Sequence, residues 1–188
     1  ILQVSVYGPK KVCDAFIHLL DKSQGRIVNV TSVSGPIFLS GSSDETKYLL
    51  TNPEITWTEI QDYMEKCVDA STNNDIYSYH GSNTGSEYGL SKACTNAYTI
   101  FLSRQYPDLK VNACTPGFIE TDLTRPMAEA GGKTPAEMGM KSPEEGTSAC
   151  IFLLMGNPEG SGHYYGSDCL RSPIDRYRSP GDPPYTGH

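Results

Sequence analysis

The chain has 188 residues, of which 37% are hydrophobic and 20% are charged, and its formal net charge at pH 7 is -7. A chain of this length and composition can bury one hydrophobic core, so we expect an ordinary globular domain. The acidic balance and the lack of a Lys/Arg cluster argue against nucleic acid or an acidic membrane surface as a partner. The longest apolar run, at 151–155, is far shorter than the ~20 residues that cross a bilayer.

The cysteines are scattered, with no C-x-x-C pair and no histidine at ligand spacing, which argues against a zinc site. The same absence leaves a cysteine-based or metal hydrolase without support. Several of the cysteines lie in apolar segments, as reduced core thiols do, and no signal-like segment opens the sequence. We therefore expect a cytoplasmic protein without disulfides. The six residues are Cys13, Cys67, Cys94, Cys114, Cys150 and Cys169.

The first half of the chain alternates between helical and strand patterns. Apolar residues recur at helical spacing over 10–20 and stop before a Ser-Gln-Gly turn, which predicts a helix. The β-branched run RIVNVTS at 26–32 has the length of a buried strand and is closed by a Ser-Gly-Pro turn. Thr56 and Glu59 have the spacing of a capping box, which predicts a further helix over 56–70.

The second half repeats this alternation. The pattern predicts a long helix over 88–106 and a second buried strand, KVNACTP, at 110–116. A capping box at 142–145 with proline at the first helical position predicts a helix that continues through SACIFLLM. GHYYGSD at 162–168 is a candidate last strand, and the Pro- and Gly-rich segment 171–188 is expected to be an irregular extension. Strands that alternate with helices indicate an α/β fold, a doubly wound parallel sheet with helices on both faces.

Tyr88 and Lys92 stand four residues apart in GSEYGLSKAC, so they are neighbours on one face of the predicted helix. A packed tyrosine and a lysine that reaches water would explain this spacing without any chemistry. Alternatively, the ammonium lowers the pKa of the phenol from its usual value of about 10, so that the phenol can exchange a proton near neutral pH.

Residues at the strand ends favour the chemical interpretation. In doubly wound folds, sites gather at the carboxyl ends of the parallel strands. The first strand ends at Ser32, and the second ends in Thr115-Pro116-Gly117. Proton transfer to a carbonyl oxygen needs an acid, a donor that holds the oxygen and a cation that tunes the acid. Tyr88, Ser32 and Lys92 would fill these three roles.

Three segments together resemble the short-chain dehydrogenase/reductase family. RIVNVTSVSG is similar to its catalytic-serine strand, EYGLSKA to its YxxxK helix and NACTPGFIETDL to its Pro-Gly motif, and they occur in the family's order. The resemblance extends from about Ser5 to Asp168 and implies a Rossmann-like fold. Residues 1–170 would then be the catalytic portion of a reductase domain, with a helical insert at about 44–84.

The resemblance implies a role for each of several positions. Ser32 would hold the substrate oxygen, and Tyr88 would be the general acid in reduction and the base in oxidation. Lys92 would bind the nicotinamide ribose and lower the pKa of Tyr88, so both residues would also contact the cofactor. Ser34 is a near neighbour, but the NVTS pattern favours Ser32. Asn29 is expected to tie the strand end and not to act in catalysis.

The Pro-Gly motif would form the nicotinamide side of the cofactor site. By the resemblance, Pro116, Gly117, Ile119 and Thr121 would line the nicotinamide, with the Ile119 backbone and the Thr121 hydroxyl near its carboxamide. Thr121 could instead cap a helix that opens at this point. NADP(H) is favoured as cofactor because the resembling reductases mostly use it, and NAD(H) is the alternative.

The distance between the serine and the tyrosine indicates a subgroup. Since 88 minus 32 leaves 56 positions, the link is long for the family and has room for the predicted helix at 56–70. This arrangement resembles monomeric carbonyl reductases of the menthone and salutaridine reductase type, in which the inserted helix covers a surface that other members use to form oligomers. The resemblance implies a monomer that reduces a small-molecule ketone or aldehyde. Tyr79 and His80 would shape a substrate mouth or belong to a plain loop.

Two features depart from the family pattern. No glycine-rich strand-turn-helix that seats a pyrophosphate is present, so at about 30 residues per βαβ unit we expect on the order of 100 residues to be missing upstream. The chain alone is then expected to bind dinucleotide poorly, and the alternative function is a truncated, catalytically silent fragment of a reductase. In SVYG, Ser5 takes the place of a family asparagine, which is expected to weaken a proton relay without abolishing it.

Overall fold

Helices and short strands alternate along the chain, as the sequence pattern predicts. The structure, a computed structural model, describes residues 1–72 and 87–187, so Tyr79 and His80 lie outside the described residues. A π-helical turn, Gln3–Tyr7, precedes the first helix, and a 3₁₀ turn, Ile17–Leu19, follows it. The elements in chain order are α1 (Gly8–Phe16), β1 (Arg26–Val30), α2 (Ser34–Ser40), α3 (Asp44–Thr51), α4 (Trp57–Thr72), α5 (Glu87–Gln105), β2 (Lys110–Cys114), α6 (Arg125–Ala130), α7 (Pro143–Gly146), α8 (Ser148–Met155), β3 (Tyr164–Tyr165) and β4 (Arg171–Ser172).

The strands of the described chain form one sheet in the order β1-β2-β3-β4. β1 and β2 run parallel, in a register that pairs Arg26 with Lys110 and Val30 with Cys114. β3 extends the sheet in parallel, and β4 returns antiparallel to it. The predicted α/β fold with a mainly parallel sheet is confirmed. Within the described residues, β1 is an edge strand.

Side chains alternate between the two faces of the sheet, as the strand period of two requires. Ile27 and Val111 belong to the larger core on the α5 side, whereas Val28 and Cys114 pack with α8 in a smaller cluster. On the α5 side, the Asn29 amide donates a hydrogen bond of 2.8 Å to a threonine hydroxyl of α5, which is the tie expected of it. Helices therefore cover both faces of the sheet.

Two helices that the sequence pattern does not predict follow β1. The Ser-Gly-Pro segment expected to be a turn forms the first turn of α2, where proline is tolerated because the first N–H groups of a helix have no partner within it. α3 begins after Ser43, whose hydroxyl accepts a hydrogen bond of 3.2 Å from the backbone of α3. Both predicted capping boxes are present, since Thr56 exchanges hydrogen bonds with Glu59 and Ser142 does so with Glu145.

α1 and β1 present apolar side chains to the surface. Val12, Phe16 and Leu19 are 59%, 59% and 68% exposed, although their spacing is that of a buried helix face. Val30, at the end of the edge strand, is 51% exposed. An edge strand offers unpaired N–H and C=O groups to a further strand. The outer edge of β1 is therefore where the described sheet can be extended.

The C-terminal segment, for which an irregular extension is expected from 171 onward, begins with strand β4. Beyond β4, the Arg178 guanidinium is 6% exposed and pairs with Asp168, with Nη2 at 2.5 Å from Oδ2. The Gly181 N–H donates a hydrogen bond of 3.1 Å to the same carboxylate. A shielded ion pair is costly to break, because one charge would stay buried without its partner. The segment is thereby fixed to the carboxyl edge of the sheet.

Gly35 of α2 lies directly on α5, and its replacement tests how closely the two helices pack. A Cβ atom at Gly35 would stand 3.0 Å from the Lys92 carbonyl carbon and 3.1 Å from the Ala93 nitrogen, which is tighter than ordinary contacts. We expect Gly35→Ala to lower the free energy of unfolding by about 1–3 kcal/mol, as overpacking does in protein cores. Urea denaturation measures this loss.

Gly8→Ala is the matched control for this substitution. A Cβ atom at Gly8 meets only the Gln3 carbonyl oxygen, at an ordinary distance of 3.6 Å. Since alanine is the better helix former, we expect this variant to be unchanged or slightly more stable. Equal effects of the two substitutions would contradict a close contact at Gly35.

Candidate active site

Ser32 lies just beyond the carboxyl end of β1, where the chain enters α2. Its hydroxyl accepts a hydrogen bond of 3.2 Å from the Ser34 N–H and donates one of 3.3 Å to the Ser34 hydroxyl. The Ser32 side chain is half-buried. These bonds hold a pair of hydroxyl groups at the carboxyl edge of the sheet.

Tyr88 and Lys92 occupy successive turns of α5. The Lys92 ammonium lies 5.4 Å from the centroid of the Tyr88 ring, within the range of a cation–π contact. Lys92 also donates a hydrogen bond of 3.3 Å to the carbonyl of Val30, the last residue of β1. The Tyr88 side chain is 45% exposed. The helix therefore presents an accessible phenol next to a cation that is bonded to the strand end.

Burial lowers the pKa of the Lys92 ammonium, because removal from water disfavours the charged form. The Lys92 ammonium is thus partly removed from water where it lies against the Tyr88 ring.

Gly35 connects the serine segment to the lysine. Its N–H donates a hydrogen bond of 3.1 Å to the Ser32 carbonyl, and its Cα side packs on the backbone of Lys92. Together with the bond from Lys92 to Val30, this contact brings the predicted serine, tyrosine and lysine segments to one edge of the sheet.

Pro116 and Gly117 follow β2 at the same edge. Gly117 has a φ of +93°, a conformation that L side chains rarely adopt, and its N–H donates a hydrogen bond of 3.2 Å to the Thr115 hydroxyl. A Cβ atom at Gly117 would lie 3.1 Å from the Ser167 side chain. The turn therefore requires glycine for its own geometry, before any ligand is considered.

Ile119 and Thr121 lie on the loop that leaves Gly117. The Ile119 backbone pairs with Lys141 in an isolated bridge, and its carbonyl accepts a hydrogen bond of 2.6 Å from the Thr124 hydroxyl. The Thr121 N–H donates to the same hydroxyl at 2.9 Å. Thr124 stands at the N-cap position of α6, the Thr121 carbonyl accepts a hydrogen bond of 2.9 Å from the Arg125 N–H, and the two threonine hydroxyls share a hydrogen bond of 3.1 Å. The Thr121 side chain is exposed.

Ser5 lies on the π-helical turn that packs against α5. Its carbonyl accepts a hydrogen bond of 2.8 Å from the Thr95 hydroxyl, three residues beyond Lys92. The Ser5 side chain is half-buried. The position that the sequence aligns with the family asparagine is thereby close to the lysine turn of α5.

Lys141 is a cation near the site that the sequence analysis does not single out. It donates a hydrogen bond of 3.2 Å to the Ser167 hydroxyl, which lies beside Gly117. The available signal was its position directly before the Ser142 capping box, where a loop returns to the sheet edge. Lys141 thus places a positive charge at the Pro-Gly turn.

The C-terminal segment also reaches this edge, which its composition does not indicate. Tyr177 and Arg178 line a small pocket together with Val33, next to Ser32, and Thr115, at the end of β2. Residues far apart in the sequence therefore border the same crevice.

In the described ranges, 1–72 and 87–187, no helix has both the length and the apolar character to cross a membrane. The same part of the chain contains no group of three or more His, Cys, Asp or Glu side chains that could hold a metal ion. The six cysteines are free thiols.

The lowered pKa of Lys92 predicts a pH dependence of stability. The unfolded chain holds this proton more tightly than the folded chain, so folding stability rises with pH between the folded pKa and the unfolded value of about 10.4. We expect wild type to gain stability relative to Lys92→Met as the pH rises toward the unfolded value of about 10.4. Urea denaturation at a series of pH values measures the difference, in which the other titrating groups cancel.

Lys66→Met is the matched control, since Lys66 is an exposed lysine on α4. The Lys66 side chain lies in water, so a comparison of the two variants isolates the effect of burying the Lys92 ammonium. A flat or falling difference for Lys92→Met would show that the Lys92 ammonium is fully hydrated in the folded chain.

Comparisons with known proteins identify relatives that are named as dehydrogenases or reductases. No family model matches the chain. (+)-Neomenthol dehydrogenase of Arabidopsis thaliana is 31% identical over 157 residues, which cover 80% of this chain and 53% of that protein. Carbonyl reductase [NADPH] 3 of Rattus norvegicus is 28% identical over 166 residues, which cover 85% of this chain and 55% of that protein.

A solved structure agrees with these sequence relatives. Salutaridine reductase from Papaver somniferum matches with a TM-score of 0.68 and 28% identity, over 87% of this chain and 53% of that one. The chain spans about half the length of the relatives that it matches. By sequence and by fold, its homologues are a neomenthol dehydrogenase, carbonyl reductases and a salutaridine reductase.

Proposed function

We propose that this chain supplies the proton-transfer part of an NADPH-dependent carbonyl reductase. The observation that carries the proposal is the Lys92 ammonium, which lies 5.4 Å from the Tyr88 ring and bonds to the strand end that leads into Ser32. The names of the relatives, an NADPH carbonyl reductase among them, support the reaction class. The substrate is then a small ketone or aldehyde that is reduced to an alcohol.

Each of the three side chains has a distinct task. Tyr88 donates its phenolic proton to the carbonyl oxygen of the substrate, and Ser32 donates a hydrogen bond that holds and polarises the same oxygen. The Lys92 ammonium stabilises the phenolate that remains on Tyr88. In the oxidative direction, the phenolate accepts the proton of the alcohol.

The residues present fit the nicotinamide end of a dinucleotide. Lys92 can donate to a ribose hydroxyl, and the exposed Thr121 hydroxyl and the Ile119 N–H can hold a carboxamide next to Pro116 and Gly117. When bound, NADPH supplies the hydride for the carbonyl carbon. NADPH is preferred to NADH because a relative is named for it.

Ser5 is assigned a minor part in this proposal. It stands at the position of the family asparagine, and its backbone is bonded to Thr95 on the helix that carries Lys92. A serine hydroxyl at this place can hold a water molecule of a proton relay, less firmly than an amide with two polar atoms.

A fusion protein tests the proposed reaction, because the chain spans about half the length of its relatives. The chain is joined behind the N-terminal half of salutaridine reductase, and NADPH oxidation is followed with a small ketone. We expect turnover, and we expect Tyr88→Phe to lower kcat/KM by roughly 10²- to 10⁴-fold, the contribution of a positioned general acid.

Tyr48→Phe is the matched control, because Tyr48 is 76% exposed on α3 and the substitution removes the same phenolic hydroxyl group. Full activity of Tyr88→Phe would show that Tyr88 only packs. A fusion that binds NADPH but reduces no carbonyl would favour the second hypothesis, a catalytically silent chain.

We further propose that the complete protein is a monomer, because α4 covers one side of α5. Ile60, Tyr63, Met64 and Cys67 of α4 are buried in the same core cluster as the side chains of α5. By the resemblance to monomeric carbonyl reductases, this inserted helix occupies a surface that would otherwise pair two subunits.

Sedimentation velocity of the fusion protein tests this proposal. We expect one species at the monomer mass that does not change with concentration, because the apolar face of α4 is already buried within the chain. A stable dimer or tetramer would contradict the proposed role of α4.

A further inference from the structure

Three cysteines from three elements meet on the α8 face of the sheet. Cys114 ends β2, Cys150 lies on α8, and Cys169 lies in the turn between β3 and β4. The sulfur atoms of Cys114 and Cys150 are 3.5 Å apart and share a hydrogen bond. All three are free thiols, and the proposed reductase chemistry uses none of them.

Apolar packing holds the thiol pair in place. Cys114 is 0% exposed and lies in a cluster with Ala149, Leu153 and Tyr165, whereas Cys150 is half-buried. Because β2 pairs with a strand on each side, the position of Cys114 is fixed by the sheet. Cys150 is therefore the more exposed residue of the pair, and Cys114 is the buried one.

The contact shifts the pKa values of the two thiols in opposite directions. A hydrogen bond from Cys114 lowers the pKa of Cys150, and the same interaction together with burial raises the pKa of Cys114. Burial also raises the pKa of Cys169, with a further increase from Asp168 that Lys141 opposes. Since the thiolate is the nucleophile, Cys150 carries the reactive sulfur of the cluster.

The other cysteines lie in the larger core and differ in this respect. Burial raises the pKa of Cys13, Cys67 and Cys94. Buried thiols in apolar surroundings are inert toward oxidants and alkylating reagents. They therefore serve as internal controls within the same chain.

We propose that Cys150 and Cys114 form an oxidation-sensitive dithiol, which a hydroperoxide converts to a disulfide. The Cys150 thiolate attacks the terminal peroxide oxygen, the O–O bond breaks, and a sulfenic acid forms while hydroxide leaves from hydrogen peroxide, or alkoxide from an alkyl hydroperoxide. The Cys114 thiol then attacks the sulfenic sulfur, the S–O bond breaks, and the departing hydroxide takes the thiol proton to form water. The two sulfurs lose two electrons, and the peroxide gains them.

The geometry requires only a small movement. The sulfurs must approach from 3.5 Å to the disulfide length of about 2.05 Å, and α8 must supply most of that movement because β2 is fixed. Cys114 directly precedes Thr115-Pro116-Gly117, so the bond ties α8 to the segment of the candidate nicotinamide site. The oxidation itself does not depend on the proposed reductase function.

Mass spectrometry of the oxidised chain tests the proposal. The purified, folded chain is treated with stoichiometric hydrogen peroxide, the remaining thiols are alkylated, and the chain is digested without reduction. Trypsin together with a protease that cuts after Glu159 separates Cys150 from Cys169. We expect a linked pair of peptides that carry Cys114 and Cys150 and that dithiothreitol separates. Cys150→Ser should lose this link, and the matched control Cys169→Ser should keep it.

A second measurement on wild type does not depend on the folding of variants. Iodoacetamide should alkylate Cys150 at least about tenfold faster than Cys169 at pH 7, because its lower pKa gives it more thiolate. The rate should rise with pH as the thiolate forms. Absence of any link, a link from Cys114 to Cys169, or equal alkylation of Cys150 and Cys169 would each overturn the proposal.

Discussion

The contact between α2 and α5 at Gly35 is the constraint on which the candidate active site depends. Because Gly35 has no side chain, the backbone that follows Ser32 can lie directly on the turn of α5 that carries Lys92. The bond from Lys92 to the Val30 carbonyl is made across the same contact. A displacement of α2 would therefore change the position of a hydroxyl group, a cation and a strand end together.

The serine strand, the Tyr/Lys helix and the Pro-Gly segment can be recognised from the sequence, because each combines a local residue pattern with residue types that the proposed chemistry requires. Short runs with the length of buried strands predict β1 and β2, and the capping boxes predict the starts of α4 and α7. The pattern does not predict α2 because Ser-Gly-Pro is also typical of a turn, although the first turn of a helix accepts all three residues. The exposure of Phe16 was also not predictable, since its spacing is that of a core helix. Burial depends on which elements are present to cover a face.

Contacts between residues distant in the sequence account for the other polar groups at the site that the sequence pattern does not predict. The pairing of Lys141 with Ser167 and that of Arg178 with Asp168 join loops that no local pattern connects. Such ion pairs and hydrogen bonds follow from the folded path of the chain and not from residue spacing. The candidate proton-transfer residues could be recognised from the sequence, but the polar groups that surround them required the structure.

The two faces of the sheet differ in chemistry, and β2 connects them. The α5 side packs against the helix that carries Tyr88 and Lys92, whereas the α8 side holds thiols in an apolar cluster. Cys114 belongs to the thiol face, and the next residues enter the Pro-Gly turn at the candidate site. A chemical change on one face therefore acts on the backbone of the other within two or three residues.

The outer edge of β1 has a consequence for how the chain behaves in solution. In the described part of the chain no strand pairs with that edge, and Val30 at its end is 51% exposed. Any extended segment with free N–H and C=O groups can add to such an edge, including the same strand of another copy. A rise in protein concentration therefore favours pairing between the β1 edges of two copies, and dilution favours the isolated sheet.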